Sequence, residues 1–282
     1  MPVRPAAVAG SWYPGTAAVL AREVDRYVEQ AVPDVPAGPV QAIVAPHAGL
    51  MYSGPVAAWA YRLASREPFD VAVLVGPSHF VAFDGVSLWP DGAFETPFGP
   101  VGVDAGCAAA LVAASPVIQP LPAVHRREHS LEMQLPFLAR LLPGVPIVPL
   151  LMGYQVPDTM RALGDALASV LEGRRALLVA STDLSHYHDA RTAWRMDSQV
   201  IEIIRRFDAE ALLDELGRQP EHACGGGPTV AVMRAAAALG ARDAVILKYA
   251  DSGDVSGDKD AVVGYLAAAL GTFGGEPTAE GR

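Results

Sequence analysis

Cysteine is scarce. The 282 residues contain two, Cys107 and Cys224, too few for a disulfide framework, and a reducing, cytoplasmic compartment is expected. Positive charge is also short: 21 basic against 31 acidic residues give a net charge of −10. That balance argues against a nucleic-acid surface and against an anionic membrane as partner. The opening MPVRPAAVAGSWYP has no apolar run long enough for a signal peptide. Val40 to Tyr61 lacks Asp, Glu, Lys and Arg, but Pro46, His47, Gly49, Gly54 and Pro55 interrupt it. It reads as a buried strand, a site loop and a helix rather than a membrane span. Nucleotide and hydrolase signatures are missing too: there is no Walker A loop, no G-x-G-x-x-G after a strand and no G-x-S-x-G nucleophile elbow.

What is present is core material. Hydrophobic residues make up 51% and charged residues 18%, which excludes a disordered chain. Gln41–Ala45, Val71–Gly76, Ile147–Met152, Ala176–Ser181 and Ala244–Ala250 are short runs rich in Val, Ile and Leu, as in strands covered on both faces. Helices are expected over Ala17–Ala31, Asp158–Leu171, Thr192–Phe207, from Asp208 onward, over Pro228–Leu239, and over Asp260–Leu270 to close the fold. A further helix is expected over Ser130–Leu142, bent at Pro136. Gly85–Val103 reads as a hairpin excursion, an antiparallel addition to the sheet. The alternation predicts an α/β fold: one domain over residues 1–272 with a central, mostly parallel sheet flanked by helices, then a polar tail over 273–282.

In such sheets ligands bind beyond the carboxyl ends of the strands. There the sequence sets Pro46-His47-Ala48-Gly49, Pro77-Ser78-His79, Thr182-Asp183-Leu184-Ser185-His186 and Asp251-Ser252-Gly253-Asp254. Three of these four loops carry histidine, from only 7 in the chain. His47 and His79 are candidate metal ligands, and two neutral imidazoles leave a transition metal needing an anionic or thiolate partner. Cys224 is one candidate, placed before three glycines and Pro228, where a helix dipole favours thiolate. A carboxylate, Asp183 or Glu128, is the other. Asp183 and His186 fall within one turn, a spacing that suits an acid/base histidine fixed by a carboxylate, or else an Asp that caps the next helix. In His125-Arg126-Arg127-Glu128-His129, Arg126 stands where a zinc protease needs Glu, so that reading is rejected; Glu128 and His129 remain available to line a pocket.

AGSWYP (Ala9–Pro14), APHAGLMYSGPVAA (Ala45–Ala58), LVGPSH (Leu74–His79), TPFGPVGVD (Thr96–Asp104), HRREHSLEMQLPFL (His125–Leu138), VPLLMG (Val148–Gly153), ASTDLSHY (Ala180–Tyr187), CGGGP (Cys224–Pro228) and YADSGDVSGD (Tyr249–Asp258) run through nearly the whole chain. Together they resemble the Memo family, whose prokaryotic members are often labelled AmmeMemoRadiSam system protein B. The resemblance implies a fold like that of the class III extradiol ring-cleavage dioxygenases. It implies His47, His79 and Cys224 as metal-site residues, an acid/base position at His186 with Asp183 beside it, and His129 facing the pocket. The function expected from it is a non-haem, dioxygenase-like redox enzyme holding iron(II), or copper, with zinc third, and acting on a small oxygenated or aromatic substrate. The alternative is a non-catalytic metal-binding adaptor that partners AMMECR1-like and radical-SAM proteins.

Overall fold

The computed structural model describes residues 2–274. Along the chain come β1 (Val3–Arg4), α1 (Ala17–Gln30), β2 (Val40–Ala45), α2 (Leu50–Ala64), β3 (Val71–Pro77), β4 (Val86–Leu88), β5 (Ala93–Phe94), β6 (Val101–Gly102), α3 (Ala105–Ala114), β7 (Ile118–Pro120), α4 (Pro122–His125), α5 (Leu135–Leu141) and β8 (Ile147–Met152). Then follow α6 (Pro157–Leu171), β9 (Ala176–Ser181), β10 (His186–His188), α7 (Ala190–Arg205), α8 (Ala209–Arg218), α9 (Gly226–Ala238), β11 (Asp243–Asp251), α10 (Gly253–Ser256) and β12 (Val262–Gly271).

Nine strands form one mixed sheet in the order β10-β12-β2-β9-β3-β8-β4-β7, with β11 also beside β12. The middle four, β2, β9, β3 and β8, are parallel. Antiparallel strands β12 and β4 flank them. Strand alternation divides the core in two. Ala42, Val44, Val73, Val75, Leu178 and Ala180 face α3, α6, α7, α8 and α9. Ile43, Ala45, Leu74, Leu177 and Val179 face α1, α2 and α5. The result is a single α/β domain of helices, sheet and helices, and it brings the carboxyl ends of β2, β3 and β9 to one edge. Among the described residues no helix is long and apolar enough to cross a membrane.

Three expectations need correction. Asp260–Leu270 is not a helix: Val262–Gly271 is a strand, paired with β11 on one side and β2 on the other. The run VVGYLAAALG is apolar on both faces, so its periodicity cannot separate helix from strand. Two open strand edges outweigh the helical preference of its alanines. Over Ser130–Leu142 the helix is broken up: a 3₁₀ turn at Glu132–Gln134 precedes α5, and Pro136 lies in the first turn of α5 instead of bending a longer helix. Gly85–Val103 does two jobs. β4 adds antiparallel to β8, while the β5/β6 hairpin leaves the large sheet to join β1. Of the expected tail, Phe273 is buried against the core and Gly274 is exposed; its remainder, 275–282, lies outside the described residues.

Candidate metal centre

The register of the parallel strands assembles the site. Ala45 of β2 pairs with Ser181 of β9. Two residues further along each chain, His47 therefore meets Asp183, and the His47 N–H donates to Asp183 Oδ1 at 2.7 Å. The His47 ring is buried, with Nδ1 2.9 Å from Ser181 Oγ. The Ser181 hydroxyl donates its own proton to Ser130 O (2.7 Å) and accepts from Gln134 Nε2 (2.8 Å). It can therefore only accept from His47, which assigns the proton to Nδ1 and leaves Nε2 with a free lone pair. That lone pair faces Cys224 Sγ at 3.3 Å.

His79, two residues past β3, is fixed in the same way. Its Nδ1 lies 2.9 Å from Glu128 Oε1, and its N–H donates to Oε2 at 2.6 Å. Burial works to raise the Glu128 pKa. Hydrogen bonds from the His79 ring, and from the backbone of His79 and Ser130, overcome this and hold it down to about 2. An ionised carboxylate only accepts, so His79 also carries its proton on Nδ1 and offers Nε2. Ligand atoms of His47, His79 and Cys224 all lie within 4.8 Å of one another. The trio His79, Glu128 and His129 meets the same distance limit, but the Glu128 oxygens are taken by the His79 ring and by the N–H groups of His79, His129 and Ser130. Both carboxylates considered as a third ligand, Asp183 and Glu128, thus bind N–H donors, and the sulfur is the third donor facing the rings.

Cys224 is held from both sides. Gln155 Nε2 donates to Cys224 O at 2.6 Å, and Gln155 Oε1 accepts from Gly227 N at 2.6 Å. The three glycines serve close packing. A Cβ on Gly225 would lie 2.2 Å from Ser181 O, and one on Gly226 would lie 2.5 Å from Leu216 Cδ1. The helix-dipole expectation for the thiol is reversed in the metal-free chain: burial, and then the Asp183 carboxylate, push the Cys224 pKa up. Burial, and then the neighbouring His79 and His129 rings, push His47 well down, so that ring is neutral.

Asp183 does not orient His186. Among the described residues its carboxyl bonds the backbone N–H groups of His47 and Ala48, and burial raises its pKa to about 7. His186 sits half-buried on β10, near enough for its charge to act on His47 and for that of His79 to act on it. His129 stacks on His79, with centroids 4.5 Å apart at 17°, and lies 5.7 Å from His47. Burial holds its pKa down to about 4, against the opposing pull of Glu128. Trp12 (4.3 Å) and Phe80 (5.8 Å) complete an aromatic rim on the His129 ring. His125 points elsewhere, into Trp89 and Phe94.

Sequence reasoning passed over the supports. Arg4 and Glu132 are 1% and 0% exposed and form an ion pair at 2.5 Å. Arg4 also donates to the carbonyls of His125 and Glu128, and Glu132 accepts from Ala7, Val8 and the Tyr13 hydroxyl. Together they tie the N-terminal segment carrying Trp12 to the loop carrying Glu128 and His129. Glu132 stands out only as a charge within the largely apolar SLEMQLPFL, and nothing local marks its pairing with Arg4.

Two imidazoles at the carboxyl ends of parallel strands and a thiol from the turn before α9 define an α/β protein with a candidate His–His–Cys centre. Residues 4–269 match the family model described as Memo-like protein. A MEMO1 family protein of Methanosarcina mazei is 40% identical over 270 residues, covering 95% of this chain and 98% of that one. Another, from Thermotoga petrophila, is 39% identical over 279 residues, covering 95% and 99%. The chain belongs to the Memo family. A crystal structure of an uncharacterized protein from Escherichia coli K12 shares the fold, with TM-score 0.53 and 16% identity over 81% of this chain and 99% of that one.

Proposed function

We propose that this Memo-family protein is a metal-dependent, dioxygenase-like redox enzyme that holds iron(II) or copper through His47 Nε2, His79 Nε2 and Cys224 Sγ and acts on a small oxygenated or aromatic substrate. One observation carries the reading: His47, with its proton on Nδ1, sets Nε2 3.3 Å from Cys224 Sγ, and ligand atoms of His47, His79 and Cys224 all lie within 4.8 Å of one another. The donor set fits. Ligand atoms 3.3 Å apart can share a cation at bonds of about 2.0 to 2.3 Å, and imidazole with thiolate suits iron, copper or zinc. A bound iron or copper would supply redox chemistry and open positions for an oxygenated ligand. Around it, Ser181 and Glu128 hold the ligand rings, His129 and Trp12 wall the pocket, and His186 moves a proton to or from the substrate.

The exposed aromatics at this end, Trp12 (39%), Phe80 (49%) and Tyr187 (77%), favour a second reading, a non-catalytic metal-binding partner of AMMECR1-like and radical-SAM proteins. Anaerobic purification with elemental analysis tests the first requirement of both. About one iron or copper per chain is expected, lost in His47→Ala and in Cys224→Ala. Stoichiometric metal retained in both variants overturns the assignment. Capture of those partners by a His47→Ala/His79→Ala double variant would favour the adaptor.

A further inference from the structure

We propose that Asp197 is a positioning residue for His186, an inference that rests on His186 as the proton-handling group of the site. Asp197 lies on α7, where the other buried positions are Ala193, Val200, Ile201, Ile203 and Ile204. It is itself fully buried. A carboxylate on the apolar face of a helix needs bonds that repay its desolvation, and two are present. Oδ1 accepts the Ser185 N–H at 2.9 Å, and Oδ2 accepts the Tyr249 hydroxyl at 2.7 Å.

The sheet makes room for this group. Gly264 of β12 lies against it, and a Cβ there would sit 1.9 Å from Asp197 Oδ2. Gly264 also binds the same stretch from the strand side: Leu184 N donates to Gly264 O at 2.8 Å, and Gly264 N donates to Ser185 O at 3.0 Å. Leu184 and Ser185 are thus clamped between helix and strand. His186 follows directly, paired with Val263. Tyr187 comes next with φ 61, a left-handed backbone without glycine and almost free of burial. Such a conformation persists only where its surroundings over-determine it. The bonds of Asp197 and Gly264 supply that determination and fix the direction in which His186 leaves the chain.

The test reads His186 in metal-free protein, using ¹⁵N-labelled histidine and amide exchange. In Asp197→Ala the Ser185 amide should exchange at least tenfold faster. The His186 ring signal should shift or split, while those of His47 and His79 stay in place. Asp197→Asn, whose carboxamide oxygen still accepts from Ser185, should restore the His186 signal. An unchanged His186 ring in folded Asp197→Ala overturns the proposal, as do equal changes at all histidines. Should Asp197→Ala fail to fold, Tyr249→Phe carries the test: a smaller displacement of the same signal supports the role, and a wild-type signal overturns it. Failure of the wild-type protein to bind metal would sink the metal reading alone and leave this result standing.

Discussion

Glu128→Gln isolates what the carboxylate does for His79. Four N–H groups converge on its two oxygens. Oε1 takes the His79 ring, His129 N and Ser130 N, each at 2.9 Å, and Oε2 takes His79 N at 2.6 Å. A carboxamide of the same shape has one accepting oxygen and one NH₂. With its oxygen at the Oε1 position three bonds survive, and the NH₂ is set against the His79 N–H. The opposite orientation loses three. The first is adopted, so the His79 ring keeps a partner that is neutral instead of anionic, and its Nε2 becomes a poorer donor. Removing such an outer partner of a metal-ligating histidine costs about 10- to 100-fold in metal affinity, or about 1.4 to 2.7 kcal/mol. Anaerobic titration with Fe(II) and with Cu(I) against a chromophoric chelator measures it, and urea unfolding of the metal-free variant separates any loss of stability. A stoichiometry near one with affinity weakened in that range is expected. Affinity within twofold of wild type in a folded variant would refute the claim that Glu128 orients and charges His79.

Three other outcomes are expected. Gly225→Ala puts a Cβ 2.2 Å from the Ser181 carbonyl oxygen and 2.7 Å from Thr182 Cβ. Overpacking of this kind costs about 1–3 kcal/mol, visible as a lower urea midpoint, with weaker metal binding because Cys224 moves with its neighbour. His125, buried among aromatics, has its pKa pushed from 6.5 down to about 3 by desolvation, and then by Arg4. Between those values the unfolded chain binds more protons, so stability present above pH 6.5 is lost as pH falls. By pH 5 the loss is about 2 kcal/mol, and His125→Leu should remove most of that slope in urea titrations at pH 7 and 5. The raised Cys224 pKa means that a cation must displace the thiol proton. Apparent metal affinity should therefore rise about tenfold per pH unit between about 6 and 8, and Cys224→Ala should flatten that dependence.

Much of this was legible in the sequence, for reasons that also explain the rest. The runs AIVA, VAVLVG and ALLVAS are continuously apolar because both sheet faces are covered, and each ends at a polar turn, so strand and site loop are marked together. β12 was opaque because its ten residues are apolar on both sides and rich in alanine, and only the unpaired edges of β2 and β11 decide its conformation. Closeness in sequence suggests His186 as one partner for Asp183. Strand register instead brings in His47, 136 residues away. Arg4 and Glu132, 128 residues apart, leave no local pattern at all.

The same register argument shows why the centre depends so heavily on one strand end. Ser181 sets the His47 tautomer, Asp183 anchors the His47 backbone, and the Ser181 carbonyl is the surface against which Gly225, next to Cys224, must pack. All three come from the last residue of β9 and the two that follow. A one-residue slip between β2 and β9 would turn each side chain to the opposite face, taking Ser181 from His47 and Asp183 from its N–H at once. Close packing opposes that slip: Ile43 and Val179 fill one half of the core and Val44 and Ala180 the other, each fully buried, and a slip would exchange their volumes. Side-chain packing in the middle of the sheet therefore fixes which atoms of the candidate metal site face each other at its edge. Core substitutions in β9 should accordingly loosen metal binding before they unfold the domain.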